Sequence, residues 1–170
     1  ASGAMAQSQL YPQHFDLHEV TMNDGPLKTA METNITLLLQ YDTDRLMTPF
    51  VRQAGLKTGR YAGWETQHPN FDNWGSGSFR LDGHVGGHYI TAIALAYAAS
   101  HDEAQRKVLK ERLDYMLEII RDCQDAFASN TDGMKGFVGG QPVNDIWPAL
   151  YKGDVAPFNN CGGWVTFYCE

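Results

Sequence analysis

"LDGHVGGHYITAIALAYAAS", residues 81–100, decides how the rest of the chain is read. After Asp82 it runs to Ser100 without a formal charge, and Val85 to Ser100 is enough for a helix of roughly four turns. Its Thr, Ser, His and Gly make it too polar, and it is too short, to span a membrane. The expectation is a helix buried on most sides, with Asp82 standing where an N-cap would. Gly83, Gly86 and Gly87 each weaken a helix by up to about 1 kcal/mol relative to Ala. Such a cost implies a close approach, either of another backbone or of a ligand.

His84 and His88 are four apart and share one face of that helix. Thr91 and Leu95 continue the face, while Ile90, Ile93 and Tyr97 point the other way. Three readings of the pair stay open: polar contacts to a substrate, hydrogen-bonded structural histidines, or metal ligands. A zinc site needs at least a third protein ligand, and the Glu of an HExxH motif is missing. The metalloprotease reading falls, and no metal ligand is assigned within this chain.

The next helix is the opposite of the first. Between about Asp102 and Phe127, the residues Leu109, Leu113, Met116, Ile120, Cys123 and Phe127 form one narrow stripe, and charged side chains cover the other side. A buried helix joined by a short "SHD" turn to a helix with one wet face suits an α/α toroid of inner and outer layers. A simple helical bundle explains two helices equally well.

Working towards the N-terminus, residues 51–80 hold five glycines, one proline and the aromatics Tyr61, Trp64, Phe71, Trp74 and Phe79, and read as a long loop. Disordered segments are poor in aromatics, so an ordered, site-lining loop is expected. Before it, "NDGP" turns into a helix with Pro26 at an early position, and Leu27, Met31, Ile35 and Leu38 share a stripe. Tyr41 to Thr48 extends that helix or forms a second one, which Pro49 interrupts. "HFDLHEVTM" reads as a short strand or extended arm, and "ASGAMA" (residues 1–6) as a cloning scar outside the fold. Towards the C-terminus, 130–163 is again rich in Gly, Pro and aromatics. A short helical turn is expected near Asn144 to Tyr151, and another helix from about Trp164.

Composition narrows the partners. Thirteen Lys and Arg against twenty Asp and Glu give a net charge of −7 with no basic run, which argues against nucleic acid. Cys123, Cys161 and Cys169 form no CxxC pair and no disulfide framework. No serine triad order, phosphate loop or dinucleotide fingerprint is present. The tryptophans suit a sugar: a flat aromatic face stacks on a ring's apolar face, while acids and amides fix its hydroxyls. Trp64, Glu65 and Trp164 are candidates for that role, though structural tryptophans are as common.

"LDGHVGGHY" and "GGWVTFY", with "AGWE", "ERLDYMLEIIRDCQ", "FDLHEVTMNDGP" and "DTDRLMTPFVRQAGL", resemble the β-L-arabinofuranosidase type of glycoside hydrolase, formerly grouped only as a domain of unknown function. The likeness runs from about Phe15 to Glu170. It implies an (α/α)6-barrel catalytic domain, here residues 7–170 as its N-terminal portion, in secreted or periplasmic enzymes that act on plant-derived glycans. It also implies retention by a cysteine nucleophile on a zinc ion, held by further cysteines and a glutamate, with another glutamate as acid/base. Cys161 and Cys169 do not match the family's adjacent-cysteine motif, so the catalytic set is expected beyond Glu170 and zinc is not expected on this chain. The resemblance carries over only a substrate rim: Asp82, His84 and His88, then Trp64, Glu65 and Trp164.

A non-catalytic carbohydrate-binding helical domain, and a toroid acting as epimerase or lyase, remain alternatives. If later helices are needed to surround the uncharged helix, the chain alone is inactive, and unstable or self-associating. In that case Ile90, Ile93 and Tyr97 are expected to touch another chain or to be anomalously exposed.

Overall fold

The computed structural model describes residues 14–70, 82–129, 135–140 and 146–156, and of Ile146 and Trp147 only the backbone. The expected helix from Trp164 lies outside the described residues, as does Trp164 itself. The chain is mainly helical, and no strand occurs among the described residues. Its helices are α1 (Pro26–Leu38), α2 (Thr43–Gln53), α3 (Trp64–Gln67), α4 (His84–Ala99), α5 (Glu103–Ala126) and α6 (Ile146–Tyr151).

The stretch expected as a strand or arm holds a single 3-10 turn at Leu17–Glu19, without a pairing partner. Its apolar residues do not alternate cleanly enough to build a sheet face, and Leu17 packs beside α1 and α4 instead. Pro26 opens α1 at its first position, where a missing N–H costs nothing. Pro49 does not interrupt α2, which continues through it to Gln53. A proline within a helix costs about 3 kcal/mol. Complete burial of Leu46 to Val51 outweighs that, since each large apolar side chain taken from water contributes roughly 1.5–3 kcal/mol.

Three sets of contacts establish how these helices run. Tyr89 of α4 meets the end of α1, donating to the Leu38 carbonyl at 2.6 Å, while Met31 and Ile35 lie in a groove with Ala92, Leu95 and Ala96. Gly86 sits against Leu46 and Phe50 of α2, and Asp82 reaches Arg52. Rising numbers on α4 meet falling numbers on α2 and then on α1. Both helices therefore run antiparallel to α4, α1 along its C-terminal half and α2 along its N-terminal half. They form one long track broken at residues 39–42.

Arg112 of α5 closes that break. Its Nη1 donates to the carbonyls of Leu38 (3.4 Å) and Tyr41 (3.0 Å) and to the Tyr89 hydroxyl (2.7 Å). The exposed carbonyls at a helix C-terminus are thus met by a cation, which also suits the negative end of the helix dipole. Asp102 caps α5, accepting from the Gln105 N–H at 3.0 Å, and α5 folds back on α4 as the "SHD" turn suggested. The core between them is Ile93 with Leu109, Met116, Ile119 and Cys123.

This packing corrects two expectations about α4. Ile93 is 0 % exposed within the chain itself, and Ile90 and Tyr97 are partly buried against the same core. The side chain left outside is Leu95, 53 % exposed, in line with exposed His88 and Thr91. An absence of charge did not distinguish which face was covered. The face towards α5 is closed; the histidine face is the open one.

Gly86 of α4 is explained by a neighbouring backbone. A Cβ on Gly86 would stand 2.8 Å from the Leu46 carbonyl oxygen and 2.9 Å from the Phe50 ring. Gly86→Ala would gain up to about 1 kcal/mol in helix propensity but force overpacking that costs about 1–3 kcal/mol. The clash dominates because its nearest atom belongs to the backbone. We expect a net loss of about 1–2 kcal/mol for Gly86→Ala in urea unfolding, against no loss for Thr91→Ala on the open face of the same helix. Equal stability of the two variants would contradict the close approach.

Candidate functional site

His84 and His88 occupy the first two turns of α4, with ring centroids 4.6 Å apart in an edge-to-face arrangement. His84 is half-buried and His88 exposed. His84 Nδ1 is buried, so what this pair can present to a hydroxyl group comes from His84 Nε2 and the exposed His88 ring. The uncharged surface that continues along Thr91 and Leu95 puts these polar tips at the end of a weakly polar stripe.

Beneath them the local structure is tightly determined. The N-cap of α4 is Gly83 and not Asp82. Gly83 has φ +89°, in the left-handed region that glycine tolerates. A Cβ there would meet the Gly140 Cα at 2.8 Å, so the turn before α4 is closed by direct backbone packing on residue 140. Asp82 is 0 % exposed. One carboxylate oxygen accepts from Arg52 Nη2 at 2.5 Å and the other from Asn70 Nδ2 at 3.5 Å. The aspartate that the sequence suggested as the N-cap stands one residue before it and ties α2 to the start of α4 through Arg52.

Trp64 and Glu65 stand on α3. Trp64 is 7 % exposed, its ring packed against Tyr61 and His68 at centroid distances of 5.2 and 4.6 Å. Neither face is laid open as a platform, and its indole N–H has no hydrogen-bond partner among the described residues. Glu65 is exposed beside a cleft of about 180 Å³ formed with Leu56, Lys57 and Tyr61. The Tyr61 hydroxyl donates to Asp122 at 2.6 Å, and burial followed by that carboxylate pushes its pKa well above the usual range. Arg60 bridges the same carboxylate at 2.7 Å and Glu118 at 3.0 Å, tying the loop before α3 to α5. Trp64 and Glu65 thus belong to the packing of α3, while His84 and His88 belong to the start of α4.

The donors of a sulfur-rich zinc centre are not assembled among the described residues. The one described cysteine, Cys123, is buried on α5, and burial pushes its thiol up to about 12, whereas a zinc ligand must be thiolate. Asp42, Asp44 and His68 do bring three possible ligand atoms within 4.8 Å of one another. Asp42 caps α2 by accepting from the Asp44 and Arg45 amides, and Asp44 accepts from the Tyr115 hydroxyl at 2.6 Å. They lie at the positive end of a helix and contain no sulfur, so they do not fit the expected set. Sequence reasoning missed this cluster, whose members are drawn from a cap and a loop 24 residues later.

The burial of Cys123 has a chemical consequence. Iodoacetamide at pH 8 is expected to leave the Cys123 peptide unmodified in the native chain, and to alkylate it fully in urea, as read by peptide mass mapping. Rapid native-state labelling at Cys123 would show that α5 is not packed as described.

Among the described residues no helix is long and apolar enough to cross a membrane. No curated protein matches the chain. A family model does: the β-L-arabinofuranosidase, GH127 catalytic domain matches residues 19–169. That match spans α1 to α6, and it agrees with the mainly helical fold. The chain belongs to the GH127 β-L-arabinofuranosidase catalytic domain family of glycoside hydrolases.

Proposed function

We propose that the chain contributes the sugar-binding rim of a retaining β-L-arabinofuranosidase acting on plant-derived glycans. The observation that carries this reading is the outward-facing His84–His88 pair on a helix otherwise free of charge, within a chain of this family. A furanoside presents hydroxyls on a compact ring, and two imidazoles at 4.6 Å can each hold one of them by a directional hydrogen bond. Thr91 and Leu95 extend the surface in the direction a neighbouring residue of the glycan would take.

In this reading residues 7–170 are the N-terminal portion of an (α/α)6 barrel, and the remaining helices complete the wall around the uncharged face of α4. Zinc would supply an activated thiolate nucleophile from cysteines elsewhere in the barrel. The residues described above do not supply those ligands, and their part is to bind and orient the sugar. Secretion or a periplasmic location belongs to the same proposal, because plant glycans are met outside the cell.

Hydrolysis of p-nitrophenyl β-L-arabinofuranoside in the presence of methanol tests the chemistry. Retention predicts methyl β-L-arabinofuranoside as the first product by proton NMR; an inverted product overturns the retaining mechanism. Activity that survives complete zinc removal would sink the metal-bound nucleophile. For the rim, His88→Ala is expected to weaken binding of methyl β-L-arabinofuranoside by calorimetry at least about tenfold, the loss of one good hydrogen bond, about 1.4 kcal/mol. Unchanged affinity would remove His88 from the sugar site. Sugar binding by the full-length protein with no hydrolysis under any condition would favour a carbohydrate-binding role.

A further inference from the structure

The Arg52–Asp82 pair joins α2 to the residue two before His84, and the reading of the histidines as sugar contacts leaves it unused. Asp82 has no exposed surface, so it has no free approach to a ligand; Arg52, on the last turn of α2, is a quarter exposed. Between Asp82 and His84 stands only Gly83, whose left-handed conformation is by itself permissive. The N-cap Gly83 has no side chain to contribute, and the first internal hydrogen bond of α4 is Gly87 N–H to the Gly83 carbonyl at 2.9 Å. The first turn of a helix frays unless it is held. Two restraints on it are the Gly140 backbone against Gly83 and the carboxylate of Asp82 held by Arg52.

We infer that Arg52 and Asp82 are positioning residues: gripping the residue that precedes α4, they fix the two imidazoles of His84 and His88 in the orientation that meets a furanoside. This rests on the sugar-binding reading of those histidines. The guanidinium suits the task because its planar fork holds direction as well as charge, which an ammonium does not. The Asn70 amide on the second carboxylate oxygen limits rotation of the carboxylate about its own axis. Asp82 consequently acts on the frame of the site, and the histidines act on the sugar.

The test compares Arg52→Lys and Asp82→Asn with the unaltered chain. Its readouts are amide hydrogen exchange, nitrogen-15 spectra of the histidine rings, and calorimetry with methyl β-L-arabinofuranoside. In both variants the amides of Gly87 and His88 are expected to lose at least about tenfold in protection, while Met116 and Ile119 on α5 keep theirs. The two ring signals should move, and affinity for the furanoside should fall about tenfold or more. Uniform loss of protection across α4 and α5 would mean that the pair only stabilises the fold, and would overturn the proposal. Unmoved ring signals would overturn it as well. Should Asp82→Asn fail to fold, Arg52→Lys, which keeps the charge and loses the planar fork, carries the same comparison. If the unaltered chain binds no furanoside, the sugar-binding reading fails, and the exchange and ring spectra still decide separately whether Arg52 orders the start of α4.

Discussion

The close contact between α4 and the α2 backbone is the constraint on which the other features depend. Gly86 lies against the Leu46 carbonyl with no space for a methyl group, and four residues of α2 beyond that contact Phe50 reaches both Gly86 and Gly83. Such an approach brings two helix backbones nearer than ordinary side chains permit, and it fixes their relative register. Once α2 is set there, Arg52 falls beside Asp82 and the start of α4 is held from below. The outward direction of His84 and His88 follows, since Gly86 occupies the opposite side of the same turns.

The second level of organisation is the broken track of α1 and α2. The break at residues 39–42 separates the segment along the C-terminal half of α4 from the one along its N-terminal half, and it leaves backbone carbonyls at the end of α1. Arg112 and Tyr89 satisfy those carbonyls from α5 and α4. A surface helix is thereby tied to the interior by polar contacts as well as by Leu109, Met116 and Ile119. The proline of α2 is tolerated in this setting because both of its neighbours, Thr48 and Phe50, are fully enclosed.

Charge is distributed to match. The ion pairs of α5 lie on its wet face, as with Lys110 and Asp114 at 2.6 Å, and exposed pairs of this kind contribute little to stability. The pair at Arg52 and Asp82 is different in kind: one partner is fully buried, so removing the other would leave a charge without solvent. An interaction of that sort selects one arrangement over others even where its net contribution to stability is small. Asp82 stands two residues before His84, so the pair joins α2 to the start of α4.

The sequence by itself determined the long helices and some of their ends, though Pro49 does not stop α2 and α3 lies within what read as a loop. Periodic apolar stripes, Pro26 at a first position, Asp102 as a cap and the uncharged run after Asp82 are local signals, and local hydrogen-bonding and steric rules read them directly. The family was legible too, in "LDGHVGGHY" and "GGWVTFY", and the matched residues 19–169 agree with it. The pairing of His84 with His88 needed only the helical repeat. What tertiary structure alone decided was which face each helix covers and what each polar group meets. Ile93 and Leu95 are equally apolar in sequence, yet α5 covers one and leaves the other open. Asp82 has the composition of a cap, but the φ of Gly83 and the position of Arg52, thirty residues away, made it an anchor. Trp64 could have been a sugar platform until Tyr61 and His68 packed against its ring. Burial and partnership are properties of surfaces brought together from distant parts of the chain, and no local pattern encodes which surfaces will meet.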